Sequence, residues 1–246
     1  MRTALVAGLG LIGGAVGMAL RRAGWRVAYL DPNVSLDKAQ RAGAADARGE
    51  SGDVVVVATP VDVAVGLIGP MGPMGPMGPV TTVCSVMAPF ASVIAGHPMA
   101  GWHESGLANA HHVKLEGARW FLSREHPLVE QLVRDCGSVP VIVDPQEHDA
   151  AMALTSHLPQ VLSTALFAYL EDKNVEQFAG AGLRSFRLAA SDGAMWHPVL
   201  EANRGNLAPH AEAIAELVRA IIEGRDDDAF ARARRLWRSL QESTSA

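Results

Sequence analysis

Hydrophobic residues in the first 144 positions follow two alternating patterns. Short runs of branched apolar side chains predict buried strands, and the segments between them carry apolar residues at helical spacing. Four consecutive valines in the segment 53–60 indicate a strand covered on both faces, as in a parallel sheet between helices. The predicted strands are 3–8, 26–31, 53–60, 80–86, 118–123 and 139–144, and predicted helices begin near 11 and 35.

Strands that alternate with helices predict a doubly wound, mainly parallel α/β domain of the Rossmann type over residues 1–144. From 145 to 246 no segment has a strand pattern. Helical patterns are predicted at 146–171, 175–189, 194–203, 208–223 and 226–241. We therefore expect an all-helical second domain over 145–246.

The first helix of that second domain, 146–171, is long and apolar and is interrupted by Pro159. It carries more hydrophobic surface than a bundle of ~100 residues easily buries by itself. This excess predicts a homodimer formed through the helical domain.

Composition narrows the class of protein. The chain has 246 residues, a net charge of −5 and no long basic run, so nucleic acid and anionic membranes are not expected partners. Its two cysteines, Cys84 and Cys136, fit a reducing, cytoplasmic location. The apolar N-terminus imitates a secretory signal, but its regularly spaced glycines favour a first strand and helix.

The segment GLGLIG places Gly8, Gly10 and Gly13 in the GxGxxG spacing, after a predicted strand and at the start of a predicted helix. In this context the first glycine permits a tight turn, the second lets the backbone approach a pyrophosphate, and the third lets the helix pack on the strand. The helix N-terminus offers free N–H groups to phosphates. The sequence therefore predicts a dinucleotide site.

Asp31 ends the second predicted strand, where a carboxylate can bind the ribose hydroxyls and repel a 2′-phosphate. This favours NAD over NADP, although an aspartate that only begins the turn DPN is the structural alternative. No metal site is predicted. The predicted cofactor-binding residues are Gly8, Gly10, Leu11, Ile12, Gly13, Asp31, Thr59 and Pro60.

Tyr169 and Lys173 have the Tyr-x-x-x-Lys spacing of short-chain dehydrogenases. Those enzymes use a GxxxGxG turn, which is not present at the first strand here. We interpret the pair as an exposed helix end.

His97 stands in GHPMAG, directly before a proline. That position disfavours the helical region and holds the backbone extended. A neutral imidazole there can accept a proton near pH 7, while a histidine that only packs in a loop is the structural alternative.

The motifs GLGLIGG, DVVVVATPVDVAV, GHPMAG, SHLPQ and RLAASDGAMW occur in that order between about 4 and 203. Together they resemble the prephenate (or arogenate) dehydrogenase family of tyrosine biosynthesis. The resemblance implies a Rossmann domain followed by a helical dimerisation domain. It also implies NAD-dependent oxidative decarboxylation of prephenate to 4-hydroxyphenylpyruvate, with arogenate as the alternative substrate.

The same resemblance implies roles for individual residues. His97 corresponds to the catalytic base, and Ser85 to a serine that hydrogen-bonds the histidine and the substrate hydroxyl. Arg187 corresponds to the arginine that holds a substrate carboxylate, with Arg184 as a weaker candidate. His157, Trp196 and Ser105 correspond to residues of the substrate pocket, although a histidine at a helix kink can also be structural.

Several positions depart from the family pattern. Cys84 and Met87 stand where the family usually has glycine and lysine, and Trp102 and His103 replace a small hydroxyl residue and an acid. The helix expected between the strand 80–86 and GHPMAG is mostly missing. These departures motivate a different hypothesis, a nucleotide-binding regulatory homologue without catalysis. The repeat at 69–79 is interpreted as a stiff surface connection.

Overall fold

The structure, a computed structural model, describes residues 1–71, 78–102 and 104–244. Most of the Gly-Pro-Met repeat and His103 lie outside the described residues. The interpretation of that repeat as a surface connection therefore stays a prediction.

Five parallel strands form the first sheet, in the order β3-β2-β1-β4-β5. The strands are β1 (Thr3–Ala7), β2 (Arg26–Leu30), β3 (Ala47–Arg48), β4 (Val54–Val57) and β5 (Val80–Thr82). The helices that follow them are α1 (Leu11–Arg22), α2 (Leu36–Arg41) and α3 (Val61–Met71). The parallel sheet confirms the predicted fold class.

The four valines of β4 are completely buried because they alternate between two cores. Val54 and Val56 pack in the core that contains the apolar face of α1. Val55 and Val57 pack in the core that contains Val61 of α3. Helices therefore cover both faces of the sheet, as the valine run predicted.

A second, three-stranded sheet has the order β6-β7-β8. Its elements are β6 (Gly96–Pro98), β7 (Arg119–Leu122), β8 (Val139–Ile142) and the helix α4 (Pro127–Asp135). β6 pairs antiparallel with β7, and β7 pairs parallel with β8. The last two predicted strands exist, but they pair in this separate sheet. β3 and β6 were not predicted, because two or three residues are too few to show a strand pattern, and β6 also contains glycine and proline.

Between β5 and β6 the chain makes one 3₁₀ turn, Ala88–Phe90, in place of a full helix. This confirms the short connection predicted from the sequence. Phe90 is fully buried and anchors the segment to the core.

The remaining described chain is helical, which confirms the second part of the fold prediction. The helices are α5 (Pro145–Met152), α6 (Leu158–Leu170), α7 (Ala181–Arg184), α8 (Gly193–Ala202), α9 (Arg204–Ile222) and α10 (Ala229–Thr244). A π turn, Ala153–His157, joins α5 to α6 just before Pro159. Proline lacks an N–H and crowds the preceding turn, and a π turn accommodates both effects.

The prediction of one continuous helix at 175–189 is wrong. The segment forms a 3₁₀ turn at Glu176–Phe178, the short α7 and a 3₁₀ turn at Arg187–Ala190. Gly180 and Gly182 lower the helix propensity of this stretch.

Large exposed apolar side chains are concentrated on the helical part of the molecule. They include Leu154, Leu162, Phe167, Phe178, Phe186, Leu188, Met195, Val218, Ile222, Phe230, Leu236, Trp237 and Leu240. In the part of the chain that the structure describes, no helix combines the length and apolar character needed to cross a bilayer.

Candidate active site

The turn between β1 and α1 needs glycine at two positions for steric reasons. Gly8 has φ +91°, and a Cβ there would lie 2.8 Å from the carbonyl group of Ala58. A Cβ on Gly13 would lie 2.0 Å from the Gly8 carbonyl oxygen. A Cβ on Gly10 would meet nothing within 4 Å. Gly8 and Gly13 therefore serve the fold, and Gly10 borders open space.

α1 begins at this open space without a side-chain cap and without an acidic residue in its first turn. Leu11 and Ile12 are half-buried there. The backbone N–H groups of a first helical turn have no partner within the helix and carry partial positive charge. The turn can therefore receive a phosphate group.

Asp31 follows β2 and lies against the glycine turn. Its carboxylate accepts hydrogen bonds from the N–H of Leu9 and the N–H of Asn33, both at 2.8 Å. It therefore shapes the DPN turn and also reaches the edge of the predicted nucleotide site. A carboxylate that accepts two hydrogen bonds keeps lone pairs for further donors.

Thr59 and Pro60 follow β4 on the same edge of the sheet. The backbone nitrogen of Thr59 lies 2.8 Å from the position of a Cβ on Gly8, so Thr59 adjoins the glycine turn. The Thr59 hydroxyl is buried and has no hydrogen-bond partner among the described residues. Pro60 precedes α3 and is exposed, and its carbonyl accepts the N–H of Ala64.

His97 is the middle residue of β6 and pairs with Phe121 of β7. Its Nδ1 lies 3.0 Å from Nε2 of His148, and Nδ1 of His148 lies 2.8 Å from Oδ1 of Asp149. His148 is 2% exposed and Asp149 is 1% exposed. Three titratable side chains thus form a line that runs from the half-buried His97 into the interior.

The Asp149 carboxylate is held by backbone donors. It accepts the N–H of Met87 at 2.8 Å and the N–H of Ala88 at 2.9 Å. Hydrogen bonds from backbone amides stabilise a buried carboxylate, which would otherwise be costly. The short segment after β5 is therefore shaped around Asp149.

Burial, together with the neighbouring His148 and His157, lowers the pKa of His97 from 6.5 to about 3, and Asp149 opposes the shift. The His97 imidazole is consequently neutral at pH 7, as a proton acceptor must be.

His157 ends the π turn and is completely buried. Its Nδ1 lies 3.0 Å from Nδ2 of Asn203, which also donates to the Asp149 carbonyl at 2.7 Å. An amide NH₂ only donates, so Nδ1 of the neutral ring is the acceptor and Nε2 carries the hydrogen. Burial lowers the pKa of His157 and keeps the ring neutral.

The Nε2 of His157 and the Nε1 of Trp196 are both buried without a partner among the described residues. The two rings are in edge-to-face contact, with centroids 5.9 Å apart. Since unpartnered buried donors are costly, each of these N–H groups is a candidate donor to an acceptor atom of a ligand.

The other site residues expected from the sequence are placed less closely together. Ser85 lies just before the Asp149-binding segment and is half-buried, and its hydroxyl makes no hydrogen bond among the described residues. Arg187 begins an exposed 3₁₀ turn, and Arg184 ends α7, also exposed. Ser105 is exposed, and its carbonyl accepts the side-chain amide of Asn109.

The turn that carries Arg187 is fixed by the buried Gln160 of α6. Its amide donates to the Leu188 carbonyl at 2.9 Å, and Ser191 donates to its oxygen at 3.2 Å. Gln160 therefore binds the backbone within the turn and the side chain of the residue that follows it.

The departures from the family pattern have structural roles of their own. The thiol of Cys84 lies 3.9 Å from the Thr59 carbonyl, and burial raises its pKa to about 12, so it stays a neutral thiol. Met87 is fully buried and supplies its N–H to Asp149. Trp102 stacks on His112 with ring centroids 4.6 Å apart.

Sequence reasoning missed His148, Asp149, Gln160 and Asn203. Asp149 had one available signal: the dipeptide His148-Asp149 falls on the face of α5 that also contains the buried Met152. Neighbouring polar residues on an apolar helix face indicate a buried polar network.

A continuous series of contacts joins the glycine turn to the line formed by His97, His148 and Asp149. The glycine turn touches Thr59, Thr59 contacts Cys84, and the segment after Cys84 binds Asp149 and through it His148 and His97. Among residues 1–71, 78–102 and 104–244, no group of three or more His, Cys, Asp or Glu side chains is arranged to hold a metal ion.

Two family models match the chain. Residues 16–139, about half of it, match the nucleotide-binding domain of prephenate dehydrogenase, and residues 144–236 match the dimerization domain of prephenate dehydrogenase. The first match begins after the glycine turn and includes His97.

A prephenate dehydrogenase of Bacillus subtilis is 29% identical over 243 residues, which cover 83% of this chain and 65% of the relative. The chain thus spans somewhat less than two thirds of that relative's length.

Solved structures agree with the fold. Prephenate dehydrogenase from A. aeolicus, crystallised with hydroxyphenyl propionate and NAD⁺, has a TM-score of 0.81 at 23% identity and 98% coverage of both chains. Synechocystis arogenate dehydrogenase has a TM-score of 0.72 at 21% identity and 99% coverage of both chains.

With both of its parts matched in order by the two family models, the chain belongs to the prephenate dehydrogenase family.

Proposed function

We propose that this chain is an NAD-dependent dehydrogenase that converts prephenate into 4-hydroxyphenylpyruvate and carbon dioxide. The observation that carries the proposal is the line formed by the neutral His97 and the buried His148–Asp149 pair, which contacts through Cys84 and Thr59 join to the glycine turn. Membership of the family supports it, as does the crystallisation of the A. aeolicus enzyme with NAD⁺.

The residues of the glycine turn fit a dinucleotide. The space beside Gly10 is open, the first turn of α1 offers N–H groups, and the Thr59 hydroxyl lacks a partner among the described residues. The Asp31 carboxylate would accept hydrogen bonds from the ribose hydroxyls and would repel a 2′-phosphate. This favours NAD over NADP. When bound, NAD would accept the hydride that leaves the ring carbon bearing the hydroxyl.

His97 would act as the base. Its free ring nitrogen accepts the proton of the ring hydroxyl while the carbon–hydrogen bond of the same carbon breaks, and the hydroxyl becomes a carbonyl. The bond to the ring carboxylate then breaks, carbon dioxide leaves, and its bonding electrons make the ring aromatic. The protonated His97 returns its proton to the phenolate oxygen, so no proton is gained or lost overall.

The N–H groups of His157 and Trp196 would bind an oxygen of the substrate, and Arg187 would hold a carboxylate bidentately. Ser85 would hydrogen-bond the ring hydroxyl of the substrate, and Ser105 would line the substrate pocket. Two N–H donors match a keto or carboxylate oxygen and would oppose an ammonium group. Because arogenate carries the same carboxylates, only binding of the side-chain keto oxygen by these two donors would favour prephenate over arogenate.

The exposed apolar side chains of α6, α8, α9 and α10 would form a homodimer interface. The matched family model is described as a dimerization domain, which supports this assembly. Exposed apolar patches of this kind are typical of interfaces.

The test is an assay of NADH formation by the purified protein with prephenate or arogenate and with NAD or NADP. We expect turnover with prephenate and NAD, and a loss of kcat of about 100-fold or more in His97→Asn. The matched control His210→Asn, on α9, should keep the parent's rate. No turnover with either substrate would instead support a non-catalytic nucleotide-binding homologue, provided that calorimetry still shows NAD binding.

A further inference from the structure

The line formed by His97, His148 and Asp149 has defined hydrogen-bond directions. Asp149 already accepts two backbone N–H groups, at 2.8 and 2.9 Å. Its geometry is that of an ionised carboxylate, which can only accept. The Nδ1 of His148, 2.8 Å from the same carboxylate, must therefore carry a hydrogen and donate it.

The state of His148 determines the state of His97. When His148 is neutral it has one N–H, so a hydrogen on Nδ1 leaves its Nε2 as an acceptor. That Nε2 lies 3.0 Å from Nδ1 of His97, which must then be the donor. In the neutral His97 ring, Nε2 is left without a hydrogen and is free to accept a proton.

We infer that His148 and Asp149 are positioning residues that hold His97 in the tautomer with hydrogen on Nδ1, so that its Nε2 is the basic nitrogen. The two residues touch neither substrate nor cofactor in this scheme and act through His97. The kinetic consequence rests on the proposed function, whereas the tautomer is a property of the free protein.

Neighbouring groups support the arrangement. The titratable side chains that influence His97 are His148 and Asp149 of α5 and His157 of the π turn. His157 is separately held by Asn203, with its hydrogen on Nε2, so it does not compete for Asp149. When His97 accepts a proton, its Nδ1–H still donates to His148, and the anionic Asp149 lies one ring further along the line.

The first test needs no substrate. Long-range ¹H–¹⁵N spectra of ¹⁵N-histidine protein at neutral pH distinguish a ring nitrogen that carries hydrogen from one that does not. Comparison with His97→Asn assigns the His97 signals. We expect hydrogen on Nδ1 of His97 in the parent protein, and hydrogen on Nε2 would overturn the inference.

The second test compares two substitutions of His148. Glutamine can place its carbonyl oxygen near the position of Nε2 and accept the Nδ1–H of His97, whereas leucine cannot. We expect kcat to fall about 100-fold or more in His148→Leu with little change in KM, and His148→Gln to recover at least about tenfold of that loss.

Thermal melts of both variants show whether each folds, and His210→Leu controls for loss of a histidine elsewhere. Equal losses in two folded His148 variants would overturn the inference, as would full activity in His148→Leu. If the protein turns over neither substrate, the proposed function fails, but the spectra still decide the tautomer in the parent and in both variants.

Discussion

His97 shows how position in the chain and burial together make a proton acceptor. Pro98 keeps the backbone extended, so His97 joins a three-residue strand and its ring meets α5. Burial and two neighbouring histidines lower its pKa to about 3. A histidine that is neutral when folded and protonated when unfolded couples stability to pH.

This coupling has a definite sign. The pKa of His97 is about 3 in the folded protein and near its ordinary 6.5 in the unfolded chain, so the unfolded chain binds more protons between these values. The contribution to stability is fully present above 6.5 and is lost as pH falls toward 3. We expect the free energy of unfolding to decrease by up to about 1.4 kcal/mol per pH unit from this group.

Urea unfolding of the parent protein and of His97→Asn, between about pH 7 and pH 5, measures the effect. The variant lacks the titrating ring and should lose less stability over this range. His157 and the carboxylates remain in both proteins, so their contributions cancel in the comparison. Parallel curves for the two proteins would contradict a lowered pKa at His97.

At the scale of strands and helices, residues of the candidate site lie in the connections at the carboxyl edge of the parallel sheet. The glycine turn follows β1, Thr59 follows β4, and Cys84 follows β5, and loops after parallel strands meet at one edge. The π turn before α6 then places His157 in the interior. Short connections therefore determine the site more than long regular elements do.

The glycine turn allows packing and ligand binding to be separated. Gly13→Ala should lower the free energy of unfolding by about 1–3 kcal/mol, because its Cβ would overlap the Gly8 carbonyl. Gly10→Ala should change stability by less than about 1 kcal/mol, because the protein leaves that space open.

The Gly10→Ala methyl group should nevertheless weaken NAD binding by about tenfold or more, because it occupies space that a phosphate would use. Urea unfolding and calorimetry with NAD measure the two quantities. Unchanged affinity in a folded Gly10→Ala protein would contradict a nucleotide phosphate at this turn.

Across the molecule, the two parts differ in how well they bury apolar surface. The sheet domain encloses fully buried cores on both faces of its sheet. The helices leave side chains such as Ile222, 79% exposed, and Phe230, 74% exposed, at the surface. This difference is expected when the helices of two copies of the chain pack together and share one core.

Light scattering should therefore give twice the mass of one chain for the parent protein at micromolar concentration. Ile222→Glu, on α9, should shift the protein toward the monomer, because an interface buries the new charge without a partner. Val63→Glu is the matched control. Val63 lies on α3 and is 46% exposed, and this variant should leave the dimer intact. A monomeric parent would contradict the proposed assembly.

Much of the architecture could be predicted from local patterns. The valine run of β4, the glycine spacing before α1 and the N-cap at Ser35 depend on neighbours in the chain, so periodicity and turn chemistry reveal them. Strands of two or three residues, such as β6, carry no such pattern. They form only because another strand lies beside them.

The amino-acid order alone was thus enough to predict the longer strands and most of the helices, the parallel sheet followed by helices, and the position of His97 before a proline. Folding in three dimensions was needed to bring His97 against His148, 51 positions away, and to place Asp149 on the N–H groups of Met87 and Ala88. The physical reason is that hydrogen-bond partners distant in the chain are chosen by packing between elements, for which local periodicity contains no information.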